Sequence, residues 1–164
     1  MKVFTAKYFE DLLEAASQSS RLRAHVNVHD SYNDMCQKVF NAICINSYIR
    51  PHRHSLDPKE ECLIAICGLF GLIEFSEHGD IKSILLFGSE NYSQKFKIAS
   101  GIEVNAFTWH TVVALVEKSI IFEVKNGPFD RQFAKEFAPW SPEEGSQESL
   151  SYHKTLLDLA RGQL

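Results

Sequence analysis

His52 and His54, separated by one residue in Arg50-Pro51-His52-Arg53-His54, are the side chains with the clearest chemical potential in this sequence. Side chains at i and i+2 fall on the same side of a β-strand but on different sides of a helix. Pro51 argues against a helix interior here. Ser55-Leu56-Asp57-Pro58 reads as a turn, and Glu61 then opens the apolar run Glu61-Cys62-Leu63-Ile64-Ala65-Ile66-Cys67, which ends at Gly68. Two neighbouring strands would bring two imidazoles and one carboxylate to a common face. A further imidazole, His110, lies in the strand-like run Phe107-Thr108-Trp109-His110-Thr111-Val112-Val113. Imidazole nitrogens with a carboxylate oxygen suit a divalent first-row ion: iron, manganese, nickel or zinc.

Several elements must position those residues. Phe9, Leu12, Leu13 and Ala16 recur at helical spacing between charged residues, which predicts a surface helix over 6–19. Arg21 to His29 alternates strictly and predicts a strand. Leu22, Ala24, Val26 and Val28 share its apolar side, and Arg21, Arg23, His25, Asn27 and His29 share its polar side. The ordinary reading of that polar side is a solvated face. The sharper one turns it inward, where Arg23, Asn27 and His29 would hold an anionic or hydroxylated ligand, with His29 a candidate to support or extend the metal site. Tyr48 and Arg50 share the parity of His52 and His54, so an inward Arg50 would clamp a carboxylate or phosphate. Leu69–Phe75, a turn at His78-Gly79-Asp80, Ile81–Phe87, a loop over 88–93, Phe96–Ile98, Ile102–Val104, Thr108–Val116 and Ile120–Lys125 complete a series of short strands that predicts an all-β sandwich or barrel. His78 reads as a solvated turn residue. In a barrel, His110, Val112 and Ala114 face one way, and Trp109, Thr111, Val113 and Leu115 the other. Residues 129–145, rich in proline and aromatics, read as a wrap over the surface. A short amphipathic helix follows from Ser146, with His153 expected on its outside.

The set His52-x-His54, Glu61 and Gly68, with a later His110, resembles the paired motifs of the cupin superfamily. The gap from His54 to Glu61 is longer than usual, and Asn105-Ala106-Phe107 stands where the second motif carries Pro-x-Gly. Four further blocks resemble the WbuC family of cupin-fold metalloproteins, found among bacterial surface-polysaccharide gene sets. They are Ser47 to His54, Trp109 to Leu115, Phe122 to Pro128 and Ala138 to Gly145, and the resemblance as a whole spans roughly Arg21 to Gly145. It implies a cupin double-stranded β-helix, a jelly-roll barrel over about 21–128, with short helices at both ends in one domain over 1–164. It also favours a strand over Gln37–Ile43, where Met35, Val39, Ala42 and Ile43 alone would also suit a helix. His52, His54, Glu61 and His110 are the metal ligands it implies.

Composition bounds the rest. A chain of 164 residues, 45% hydrophobic, is long enough for one real core. A net charge of −4 gives no basis for nucleic acid or an anionic membrane as partner. No apolar run approaches the roughly 20 residues of a membrane span. The charged N-terminal stretch does not resemble a secretory leader. Cys36, Cys44, Cys62 and Cys67 lack metal or disulfide spacing; Cys62 and Cys67 read as small buried hydrophobes, and the cytoplasm is the expected compartment. Three functions follow. One is an enzyme on a sugar or sugar nucleotide, the metal acting as Lewis acid and Glu123 or His29 moving a proton. Another is an iron-dependent oxygenase. The last is a non-catalytic cupin that binds a small ligand, carbohydrate or carboxylate. A shell that keeps the fold without metal is the bland alternative. A homodimer is expected from the habit of cupins and from apolar residues on both faces of Cys62–Cys67.

Overall fold

The computed structural model describes residues 1–164. Its frame is two antiparallel five-stranded sheets laid face to face, with a helix on each outer side. The chain runs α1 (Ala6–Gln18), β1 (Arg23–Asn27), β2 (Cys36–Ile43), β3 (His52–Arg53), β4 (Glu61–Cys67), β5 (Leu69–Phe75) and β6 (Ile81–Gly88). It continues through α2 (Glu90–Phe96), β7 (Gly101–Val104), β8 (Trp109–Ala114), β9 (Ser119–Asn126), β10 (Glu136–Phe137) and α3 (Gln147–Arg161). One sheet has the order β1-β2-β9-β4-β7 and the other β10-β3-β8-β5-β6. The chain crosses between them at Gly68, whose φ of +93° and contact with Ser119, where a Cβ would collide, both demand glycine.

Alternation along the strands creates three apolar layers. Leu63 and Ala65 of β4 meet Phe70 and Leu72 of β5, Val112 of β8 and Ile121 of β9 between the sheets. On the outer side of the first sheet, Phe40, Ala42 and Ile120 pack under Leu12 and Ala16 of α1. The Thr5 hydroxyl caps that helix by accepting the Tyr8 N–H at 3.2 Å. On the outer side of the second sheet, Ile73, Trp109 and Val113 pack under Leu156, Leu157 and Ala160 of α3. Strand β8 is therefore buried on both faces: His110, Val112 and Ala114 look inward, Trp109 and Val113 outward.

Four expectations need correction. Residues 90–96 form a helix rather than a loop running into a strand, because Tyr92 and Phe96, one turn apart, both pack on the outer apolar layer. Tyr48 to Arg50 lie outside any strand, since Pro51 confines β3 to His52–Arg53 and breaks the parity argument. His153 is buried, not on the surface. Ser149, His153, Leu156 and Ala160 fall on one face of α3, and the His153 Nε2–H donates to the Ile45 carbonyl at 2.9 Å. Cys62 and Cys67 are only half-buried: Cys62 alternates outward between Glu61 and Leu63, and a register shift after Ala65 turns Cys67 to the outer layer under α1. His78 is exposed in its turn, as expected.

The ring of Phe40 sits 4.7 Å from that of Phe122 and 5.1 Å from that of Phe9, joining α1 to the first sheet. Phe40→Ala is expected to lower stability by about 3–5 kcal/mol in urea denaturation. Bound metal should be unchanged, because the next residue, Asn41, is the one facing the sheet interior.

Candidate metal centre

His52, His54, Glu61 and His110 meet in one buried group, their ligand atoms all within 4.8 Å of one another. The topology explains the convergence. His52 on β3 and His110 on β8 are direct cross-strand partners, and Glu61 enters from β4 in the opposing sheet. Its Oε2 lies 3.5 Å from Nε2 of His54 and 3.5 Å from Nε2 of His110.

The ring orientations are set from behind. Nδ1 of His52 lies 3.0 Å from the Arg50 carbonyl, Nδ1 of His110 lies 2.8 Å from the Thr108 carbonyl, and Nδ1 of His54 lies 2.6 Å from the Ala134 carbonyl. A carbonyl only accepts, so each Nδ1 carries the proton and each Nε2 is left with a lone pair. Those lone pairs converge with a carboxylate oxygen, acceptor against acceptor, among buried side chains. Nε2 of His54 has no hydrogen-bond partner at all. Donors about 2.0–2.2 Å from an ion lie roughly 3–4.4 Å from one another. The set thus fits a divalent cation after small side-chain adjustments, and its chemistry suits iron, manganese, nickel or zinc.

Electrostatics around Glu61 favour the same state. Glu61 and Lys125 are cross-strand partners, and the Lys125 ammonium lies 3.0 Å from Oε1 of Glu61 and 2.6 Å from Oε1 of Glu123. The Asn41 amide donates to the other Glu123 oxygen at 2.8 Å. Burial opposes ionisation of Glu61, but the Lys125 charge helps outweigh it and holds the carboxyl well below its ordinary range. Lys125 is itself raised despite burial, by the charges of Glu61 and Glu123. Glu123 is pushed upward by burial and by the neighbouring Glu61 charge. Burial, with the nearby Lys135 charge, keeps His52 well below the usual imidazole value and therefore neutral.

Above this floor lies a cavity of about 110 Å³ whose lining includes His52, Glu61 and His110. Ile43, Ile49, Leu63, Val112 and Ile121 form its apolar wall. Arg21, Arg23, Asn41, Glu123 and Lys135 form its polar wall. Lys135 is exposed as a residue, yet crowding at the cavity wall lowers its ammonium from the ordinary lysine value.

Of the ligand-binding candidates, Arg23 lies on this wall. Its guanidinium donates to the Tyr48 carbonyl at 2.8 Å and pairs with Glu144. Asn27 is exposed at the end of β1 and off the cavity, because the edge strand runs past it. His29 is buried beyond that strand end. Its Nδ1 accepts the Lys38 N–H at 3.0 Å and its ring rests against Tyr32, so it does not line the cavity. Tyr48 turns away, its hydroxyl donating to the Pro142 carbonyl at 3.0 Å and its ring packing on Tyr152 and His153. Arg50 donates to Ser141 Oγ at 3.1 Å and to the Ala138 carbonyl at 3.2 Å, so it anchors the C-terminal wrap rather than facing the cavity. Both follow from the strand break at Pro51. Of the proton-moving candidates, Glu123 is on the wall and His29 is not. Sequence reasoning passed over Lys125 and Asn41, although Ile121, Glu123 and Lys125 alternate along β9 and so share a face. It also passed over Lys135 and Glu144, for which the irregular wrap offered no periodic signal.

A family model described as "Domain of unknown function (DUF6016)" matches residues 4–87. The chain belongs to that family. No curated protein matches it significantly. Among solved structures, this DUF6016 chain is similar to protein SO0799 from Shewanella oneidensis, at 10% identity and a TM-score of 0.57, over 93% of this chain and 94% of that one. It is also similar to Rru_A2000 from Rhodospirillum rubrum, described as a cupin-2 domain, at 10% identity and a TM-score of 0.52, over 84% and 80% of the two chains. The capsular polysaccharide assembling protein CapF from Staphylococcus aureus matches at 17% identity and a TM-score of 0.51, over 73% of this chain but only 30% of its own length. At these identities the likeness carries the fold: a cupin jelly roll with helices at its ends.

Lys125→Met leaves Glu61 and Glu123 buried without their shared counter-ion. Removing one partner of such a pair costs about 3–5 kcal/mol, so metal-free K125M should melt well below the parent. Added zinc should recover more stability in the variant than in the parent, and equal recovery would show that Lys125 does not act on Glu61.

Acid should also destabilise the metal-free protein. The folded His52 takes a proton only well below 6.5, whereas the unfolded chain takes it near 6.5, so stability falls as pH drops from that point. Glu61 adds to the loss below about 4.5, and Glu123, raised instead, opposes it over its own range. Urea midpoints that stay flat from pH 7 to pH 4 would contradict this account.

Proposed function

We propose that this protein is a metal-binding cupin that acts on a sugar or sugar nucleotide, with His52, His54, Glu61 and His110 as the ligands of a divalent ion. The observation that carries the reading is the convergence of buried acceptors at the cavity floor. The ion, when bound, supplies Lewis-acid polarisation of a carbonyl or hydroxyl oxygen. Glu123 is the side chain on the cavity wall suited to move a proton, since burial keeps its carboxyl above the ordinary range. Arg23 orients the substrate, and the apolar wall excludes water around the reacting end. Sites that enclose a drug-sized ligand run from about 300 Å³ upward. A cavity of about 110 Å³ is below that range, so the greater part of a nucleotide sugar bound here would lie outside it. The resemblance to the WbuC family supports a place in bacterial surface-polysaccharide synthesis and is part of this proposal.

One observation favours a second reading, a ligand-binding cupin without turnover. Both oxygens of Glu123 are engaged, one by Lys125 and one by Asn41. A proton carrier held on both sides is a poor one until substrate displaces a partner. We further propose a cytoplasmic homodimer. Four free thiols suit that compartment, and Ile64 and Ile66 offer an exposed apolar face on β4.

Elemental analysis of protein purified without added metal is expected to give close to one first-row ion per chain, and His52→Ala with His54→Ala should abolish it. Metal content unchanged in the double variant would remove the assignment. Anaerobic turnover of sugar nucleotides by the zinc or nickel form would favour the Lewis-acid enzyme. A strict need for iron and oxygen would replace it with an oxygenase, and sugar binding without product under any metal would leave the non-catalytic reading.

A further inference from the structure

The polar wall of the cavity carries one arrangement that the metal does not account for. Arg21, in the turn before β1, and Arg23, the first residue of β1, both line the cavity. Glu144, from the C-terminal wrap, bridges them. Its Oε2 lies 3.0 Å from Nε of Arg21, and its Oε1 pairs with NH2 of Arg23. One carboxylate thus spans two guanidinium groups, an oxygen on each. Arg23 is held in place independently of Glu144, through the Tyr48 carbonyl at 2.8 Å and Ser47 Oγ at 3.3 Å. Its side chain is only 16% exposed, so the guanidinium stays in position whichever anion it meets.

We propose that the Arg21/Arg23 pair is a carboxylate-binding subsite, and that Glu144 occupies it as an internal stand-in until a carboxylated sugar displaces it. The inference rests on the sugar reading above and narrows it to acidic sugars. Two guanidiniums that already hold a planar carboxylate match another carboxylate in shape and charge. Lys135, also on the wall, adds a cation facing the same space. The neutral wall of Ile43, Ile49 and Val112 leaves these cations as the cavity's anion-recognising groups above the metal floor. Displacement is feasible because Glu144 is a third exposed and sits beside Gly145, whose φ of +84° gives the wrap a turn at that point. Arg21 is largely exposed, and Arg23 keeps its bonds to Tyr48 and Ser47 when Glu144 leaves, so a ligand need not disrupt the fold to enter.

The test is calorimetric titration of glucuronate, glucose and glucose 1-phosphate into the full chain, in metal-free and zinc-loaded forms. Glu144→Gln removes the internal competitor and is expected to tighten glucuronate binding at least about fivefold while leaving glucose unchanged. Arg21→Gln, at an exposed position that leaves the core untouched, should weaken glucuronate by a similar factor. Equal affinities for glucuronate and glucose, or no change in E144Q, would overturn the subsite. So would glucuronate binding that is undetectable at millimolar concentration in both forms. A larger gain for glucose 1-phosphate than for glucuronate would overturn the choice of carboxylate. The metal-free arm keeps the two claims apart. A gain in E144Q that persists without zinc supports the subsite even if zinc fails to bind, and zinc binding with no gain sinks the subsite alone.

Discussion

Acceptor facing acceptor is the constraint from which the rest of this structure follows. Three imidazoles donate their Nδ1 protons to backbone carbonyls and aim bare Nε2 lone pairs at a carboxylate oxygen. A buried polar atom without a partner costs about 1–3 kcal/mol. An arrangement of several such atoms pointing at one another is stable only with positive charge among them. A proton on His52 could supply that charge, but burial lets His52 accept one only well below the usual imidazole range. A divalent ion supplies it without that difficulty, and the backbone carbonyls have already fixed the tautomers that ligation needs.

The ionic cluster behind Glu61 completes the arrangement. Lys125 takes one oxygen of Glu61 and leaves the other facing the histidines. It also takes one oxygen of Glu123, which Asn41 holds on its other side. Asn41, Glu123, Lys125 and Glu61 come from β2, β9 and β4, which are adjacent in the first sheet. The row is a set of cross-strand neighbours on one face. Fold and site are therefore coupled through register. A slip of one residue in β9 would turn Glu123 and Lys125 outward and leave Glu61 buried alone.

The sequence was legible where a single strand decided which way a side chain points. His52-x-His54, Glu61 with Leu63, and His110 with Val112 each declared a face by period-two alternation, and β1, β5 and β8 fell within a residue or two of expectation. It failed where contacts across the chain decide. Tyr48 and Arg50 shared the right parity, but Pro51 ended the strand between them and His52. His153 looked like an exposed polar residue on an amphipathic helix until the turn after β2 supplied the Ile45 carbonyl. Residues 90–96 hid a helix because two aromatics on one face are too few to show a period. Lys135 on the cavity wall and Glu144 against Arg21 and Arg23 sit in a segment with no period at all, so their places were invisible.

That segment also ranks the three histidines by how they are held. His52 and His110 take their Nδ1 partners from carbonyls two residues before them, so local backbone geometry alone aims them. His54 takes its partner from Ala134, far along the chain in the wrap. The wrap is tied down by the β10–β3 pairing, by the Ala138 N–H donating to the Pro51 carbonyl at 2.9 Å, and by Arg53. Arg53 points outward between His52 of its own strand and His54 just beyond it. There its guanidinium stacks 4.2 Å from the centre of the Trp109 ring and forks onto Glu136 at 2.8 and 3.1 Å. The residue between two inward histidines thus fastens, on the outside of the sheet, the segment that orients the second of them. Two imidazoles are set by the barrel itself. The third depends on a clasp of charged and aromatic groups near the surface, and it is the one through which movement of the wrap reaches the centre.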